Sequence, residues 1–174
     1  MTSYRIRPFD PREACEVTAI LAGSEPWTTL GYAPEAWERH FAALPPEREA
    51  LVLELDARVA AIAVLRPGFL YGDYLELLAV AGPHRGCGLG TTLLARVEAA
   101  AFARGTNLFA CVSDFNRAAR RFYAARGYRE VGLLQGLIIP GHDEILLRKS
   151  TGPTRQLKSP RGESVAPGAE TDCA

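Results

Sequence analysis

Three glycines in five residues, Gly86, Gly88 and Gly90, stand between an apolar run, Leu75-Glu76-Leu77-Leu78-Ala79-Val80, and a helical pattern that opens at Leu89. A strand, glycine loop and helix in that order leave backbone N–H groups bare at the positive end of a helix, where an anion approaches closely. The chemistry this points to is phosphate binding, and spacing narrows whose phosphate it is. A dinucleotide fingerprint G-x-G-x-x-G needs a glycine at position 91 or 93, where Thr91 and Leu93 stand, and the Walker loop needs a lysine that this helix start lacks. Beside the loop, Glu76 is the only charge in its strand, a candidate base for deprotonating a nucleophile or a contact for a substrate. Asp73 and Tyr74 are nearby substitutes, and pairing with an arginine is the other use open to Glu76.

The pattern that remains, Arg85-x-x-Gly88-x-Gly90, resembles the pyrophosphate-binding motif Gln/Arg-x-x-Gly-x-Gly/Ala of the GNAT superfamily of acyl-CoA-dependent N-acyltransferases. Val80 to Gly86 is similar to that family's strand-4 exit. Asn116 to Tyr128 is similar to its later segment Asn-x-x-Ala-x-x-x-Tyr-x-x-x-Gly-Phe/Tyr, with Ala119, Tyr123 and Gly127 in register. The resemblance implies that Arg85, Gly86, Cys87, Gly88, Leu89, Gly90 and Thr91 hold the pyrophosphate of coenzyme A. Leu78, Ala79 and Val80 would pair with the pantetheine arm like an added strand.

The family often carries an acid at the position of Glu76 and a tyrosine at the position of Tyr123 that protonates the departing sulfur. Glu76 and Tyr123 are therefore the expected catalytic pair. Asn116 reads as a helix N-cap on its own and, by resemblance, as a pantetheine contact as well. A backbone N–H near Leu78 to Val80, freed where two strands diverge, is the expected oxyanion donor. Glu25, Trp27 and Tyr32 lie in the loop that lines the acceptor site in this family, whereas Trp37, at helical spacing, reads as core.

The implied activity is transfer of an acetyl group from acetyl-CoA to a primary amine on a small molecule or peptide, by direct attack in a ternary complex and without a metal. The alternative is a non-catalytic acyl-CoA-binding module, which keeps the glycine cradle but does not need Glu76 or Tyr123. Cys87 beside a helix start reads as a freely varying motif position rather than a nucleophile, because no histidine is placed as its base.

These groups need a scaffold. Asp10-Pro11-Arg12-Glu13 supplies an N-cap, a proline at the first helical position and an acid three residues on, predicting a helix that carries Ala14, Val17 and Leu21 until Gly23. Pro34 opens a second helix with Trp37 and Phe41 on one face. Ala50 to Leu55 and Val59 to Leu65 predict a hairpin turning near Asp56 and Ala57, and Pro67-Gly68 is expected to break the chain before the strand of Glu76. A helix from Leu89 to Ala103, a strand from Asn107 to Val112, a helix after Asn116, and strands from Tyr128 to Leu134 and Glu144 to Leu147 complete the order βααβββαβαββ.

That order predicts an α/β (α+β) fold: one domain over residues 1–149, GNAT-like, with a mixed, twisted seven-stranded sheet and helices on both faces. Residues 150–174, with three prolines and few large apolar side chains, are expected to be a disordered tail. A length of 174 residues, 48% of them hydrophobic, suits one domain with a real core.

Twenty basic residues balance twenty acidic ones, which argues against a nucleic-acid partner, and no apolar run approaches a membrane span. Cys15, Cys87, Cys111 and Cys173 show no C-x-x-C spacing and His40, His84 and His142 lie far apart, so neither a disulfide framework nor a zinc site is expected. A cytoplasmic location fits these features, and the apolar segment with Leu133, Leu134, Leu137, Ile138 and Ile139 is a candidate surface for a homodimer.

Overall fold

The computed structural model describes residues 4–154. Strands β1 (Tyr4–Pro8), β2 (Glu49–Leu55), β3 (Arg58–Phe69) and β4 (Gly72–Val80) form an antiparallel meander, and β5 (Asn107–Ser113), β6 (Arg129–Leu134) and β7 (Glu144–Ser150) extend it in the order β1-β2-β3-β4-β5-β7-β6. Helices α1 (Ala14–Ala22), α2 (Pro34–Ala42), α3 (Leu89–Arg104) and α4 (Arg117–Ala124) complete the expected order.

Local chemistry accounts for the element boundaries. The Asp10 carboxylate accepts the Arg12 N–H at 3.0 Å and Glu13 accepts the Asp10 N–H at 3.1 Å, so a capping box sets a short 3-10 turn that runs into α1. Pro34 takes the first position of α2, where its missing N–H costs nothing. The β2–β3 turn places Asp56 and Ala57 at φ 49° and 61°, the mirror-image turn whose twist suits a two-residue hairpin.

The helices sandwich the sheet. Val17, Leu21 and Phe41 of α1 and α2 pack with Val52, Ile62 and Leu77 on one face. Leu93, Leu94 and Val97 of α3 pack with Leu53, Leu75 and Leu108 on the other. Each such side chain, fully buried, contributes about 1.5–3 kcal/mol of transfer free energy.

Three departures from regular sheet shape the functional end. Leu65 pairs with Leu75 but Val64 pairs with Leu77, so Glu76 is an extra residue in β4. Such a bulge reverses the facing of every later side chain. Leu75 accordingly joins the α3 layer, whereas Leu77 and Ala79 join the α1 layer.

The parallel pairing of β4 with β5 spans only Asp73 to Leu75 against Leu108 to Ala110, so the two strands part beyond Leu75. Finally, β7 lies between β5 and β6, which sets Glu144 opposite Ser113.

Pro67-Gly68 does not end β3. The strand runs on to Phe69 through an irregular register, with the Gly68 N–H donating to Asp73 Oδ1 at 3.2 Å in place of a ladder bond. The reversal is made instead by Leu70 and Tyr71, at φ 43° and 61°. At the other end, the Thr151 N–H donates to the Thr106 carbonyl at 2.9 Å, and Asn107 Nδ2 donates to the Thr154 hydroxyl at 2.9 Å. The rest of the expected tail, residues 155–174, lies outside the described residues.

Candidate active site

Where β4 and β5 part, a cavity of about 720 Å³ opens between them. Its walls come from β4, the ends of β5 and α4, the glycine loop, the segment 24–32, and the start of β7. The cavity therefore has two chemically distinct halves.

One half is built mainly of backbone. The Ala81 N–H donates to the Ala60 carbonyl at 2.8 Å, so Ala81 faces β3. Alternation along the strand then turns Val80 and Leu78 toward the open side left by β5. Their N–H groups lie along the edge that β5 leaves unpaired.

Beyond the strand, Gly86 and Gly88 adopt φ 77° and 83°, a left-handed conformation that side chains resist. Gly88 is the N-cap of α3 and supplies no side-chain acceptor, so the first-turn N–H groups are open to an anion. A Cβ at Gly90 would stand 3.3 Å from Val80 Cγ2 and 3.6 Å from Phe122, so glycine there lets the helix start approach β4 and α4.

Two arginines flank this cradle. Arg85 donates through Nε to the Val80 carbonyl at 3.1 Å and through Nη2 to Ser24 Oγ at 2.5 Å, tying the loop to the end of α1. Arg126 lies 3.7 Å above the Phe122 ring, donates to the Phe122 carbonyl at 2.7 Å and bonds the Thr91 hydroxyl. The sequence motif spans Arg126 without marking it, although its place three residues after Tyr123 is the available signal. Cys87 is exposed, its thiol facing the Arg85 carbonyl at 3.7 Å.

Tyr123 and Asn116 meet the cavity from α4. Tyr123 is buried edge-on between Phe122 and Tyr128, at ring separations of 5.2 Å and 5.1 Å, and burial pushes its phenol well above the ordinary tyrosine range. It lines the cavity nonetheless, so burial of the ring does not remove Tyr123 from the cavity wall. The Asn116 side chain accepts the Ala119 N–H at 3.1 Å, which makes it the N-cap of α4.

The other half is built of side chains from distant parts of the chain. At the β4 bulge, Glu76 is held by Arg48 Nε at 2.8 Å; Arg48 stands just before β2 and the sequence does not mark it. Tyr32 stacks on Trp37 at 5.0 Å and Trp27 meets Trp37 edge-on at 6.0 Å, so Trp37 serves both the core and the cavity wall. Glu25 lines the cavity but is occupied with its own loop. It accepts the Thr28 hydroxyl at 2.6 Å and the Thr29 N–H at 3.4 Å, and the first of these holds its carboxyl below the usual range.

Leu137 and Ile138 close the far side, while Leu133 stays exposed on β6. Two further groups of this half, Ser113 and Glu144, are joined by a 2.5 Å hydrogen bond that no sequence motif reveals. Among the described residues no group of three His, Cys, Asp or Glu side chains is arranged to hold a metal, and no helix is long and apolar enough to cross a membrane.

A sequence profile described as acetyltransferase (GNAT) family matches residues 13–128, which include the cradle, Glu76 and Tyr123. No curated protein sequence matches the chain. Among solved structures, an acetyltransferase from Thermus thermophilus superposes with a TM-score of 0.71 at 23% identity, over 86% of this chain and 99% of that one. The ribosomal-protein-S18-alanine N-acetyltransferase from Escherichia coli gives 0.71 at 17% identity, over 94% and 99%. An aminoglycoside 6'-N-acetyltransferase complexed with coenzyme A gives 0.70 at 18% identity, over 87% and 99%. At these identities the superpositions establish a shared fold.

Proposed function

The chain belongs to the acetyltransferase (GNAT) family, and we propose that it moves the acetyl group of acetyl-CoA to a primary amine by direct attack within a ternary complex. The observation that carries this is the parting of β4 from β5. It opens strand-edge N–H groups, an uncapped helix start and the Tyr123 hydroxyl onto a single cavity. One cofactor with a diphosphate at one end and an amide-bearing arm at the other matches that sequence of donors.

In this reading the first-turn N–H groups of α3, with Gly86, Gly88 and Thr91, hold the diphosphate. Leu78 and Val80 hold the arm, and one of their N–H groups faces the thioester oxygen as it gains charge. Tyr123 supplies the proton taken by the leaving sulfur. Its raised pKa keeps it protonated throughout the neutral range. Of the two roles open to Glu76, the ion pair with Arg48 favours contact and orientation of the amine over proton abstraction, because Arg48 already occupies its Oε2 and fixes the carboxylate in place.

The acceptor enters past Trp27, Tyr32 and Trp37, whose rings suit an apolar or aromatic body next to the amine. Thiol release from acetyl-CoA, measured across primary amines and N-terminal peptides, tests the proposal. Amine-dependent release with an acetylated product is expected. Tight coenzyme binding with no release would mark a non-catalytic acyl-CoA-binding module instead.

A further inference from the structure

Glu144, the first residue of β7, is a carboxylate in the cavity that the mechanism above leaves unused. It is buried, with only 5% of its surface exposed. The Ser113 hydroxyl donates to Oε1 at 2.5 Å, and among the described residues Oε2 has no hydrogen-bond partner and no cation lies within ion-pair distance. The other buried acid among the described residues, Asp73, differs in this respect: it has Arg104 at 2.6 Å.

A buried carboxylate without a cation is costly to keep, unless a cation arrives with the substrate or the group exchanges a proton with it. The position supports such an exchange. Ser113 pairs with Glu144 across the β5–β7 ladder and Tyr74 with Phe109 across β4–β5, so Tyr74, Cys111, Ser113 and Glu144 share one sheet face at the cavity floor.

Resting on the acyl transfer proposed above, we infer that Glu144 is the base that takes the proton from the acceptor ammonium before nitrogen attacks the thioester. One proton of the ammonium passes to the Glu144 carboxylate. The freed lone pair forms the C–N bond as the carbonyl electron pair moves to oxygen. On collapse the C–S bond breaks with its pair on sulfur, which takes the Tyr123 proton; the surplus proton on nitrogen restores Tyr123. The proton held by Glu144 leaves to solvent, so the products are amide, thiol and one proton.

The surrounding charges act on the same equilibrium. Burial raises the Glu144 carboxyl above the usual range, the Ser113 hydrogen bond opposes this, and Asp114 adds to it. Asp114 faces His142 of the β6–β7 connection at 3.5 Å. Across the floor stand Cys111 and Tyr74, both with pKa values raised first by burial, and Tyr74 also senses Glu76. A base raised in this way exchanges protons with an ammonium more readily than an ordinary carboxylate does.

The test compares wild type, Glu144→Gln and Ser113→Ala with acetyl-CoA and the primary-amine panel between about pH 6 and pH 9, alongside acetyl-CoA binding and thermal unfolding. Glu144→Gln should lose about 100-fold in kcat/KM near pH 7, with acetyl-CoA affinity within about twofold of wild type and the deficit narrowing as rising pH supplies neutral amine. Ser113→Ala keeps the carboxylate but removes the bond that favours its ionised form, so its acid limb should move to higher pH with the plateau retained.

A Glu144→Gln enzyme that turns over at the wild-type rate, or one whose loss is the same at every pH, overturns the assignment to Glu144 while leaving the acyl transfer standing. A wild type that binds acetyl-CoA yet releases no thiol with any amine overturns both.

Discussion

The two halves of the cavity are built by different means. The donor half is made from backbone: N–H groups of a strand that has lost its neighbour, and of a helix whose N-cap is a glycine. The acceptor half is made from side chains on β4, β5, β7, α2 and the 24–32 segment, held by bonds between residues far apart in sequence, such as Arg48 to Glu76 and Ser113 to Glu144. A backbone site tolerates many side chains but few changes of conformation. A side-chain site has the opposite sensitivity, so under the proposed function the donor half can be shared across a fold while the acceptor half is free to differ.

The largest effect that sharpens this comparison should come from Tyr123→Phe, placed where the halves meet. It should lower kcat by about 100-fold while leaving acetyl-CoA affinity unchanged, measured by steady-state rates and calorimetric binding. The pH profile adds a sign. Burial raises the Tyr123 phenol, so its protonated form persists through the alkaline range and no falling limb from tyrosinate should appear in wild type up to about pH 9.

Next in size, Gly88→Val attacks the donor half through conformation, because a β-branched residue resists φ 83°. The strain of about 1–2 kcal/mol should weaken acetyl-CoA binding by about tenfold, with the KM for amine little changed. Arg48→Met breaks the acceptor half instead: Glu76 loses its partner, and the KM for amine should shift by several-fold while acetyl-CoA affinity holds. If either variant moved both affinities equally, the division into halves would not hold.

Asn116→Ala should give the smallest change, about 1 kcal/mol from the lost cap of α4 and a fall in Tm of about 2–4 °C, with a modest loss of coenzyme affinity.

The same division explains what could be read from the chain alone. The glycine loop was legible because its three glycines fall within five residues, Gly86 and Gly88 at left-handed φ and Gly90 where the helix start approaches Val80 and Phe122. The capping box at Asp10 to Glu13 and the Asn116 cap were legible because they are local. The element order and the mixed sheet followed from these punctuation marks.

The acceptor site resisted the same treatment. Glu144 sits in the sequence as an ordinary acid at a strand start, and its contact with Ser113 exists only because β7 inserts between β5 and β6. The bulge that carries Glu76 depends on β3 pairing, which also explains why Pro67-Gly68 was absorbed into β3 as an irregular register rather than ending it. Arg48 lies 28 residues before Glu76, beyond the reach of any local pattern.

Under the proposed function, donor and acceptor meet in one cavity and exchange an acetyl group directly. The decisive measurement is the initial rate of thiol release while acetyl-CoA and an accepted amine are varied against each other. Direct transfer in a ternary complex predicts double-reciprocal lines that intersect, with thiol and acetylated amine formed in equal amounts. Parallel lines, with acetyl groups retained on the protein between the two substrates, would contradict it.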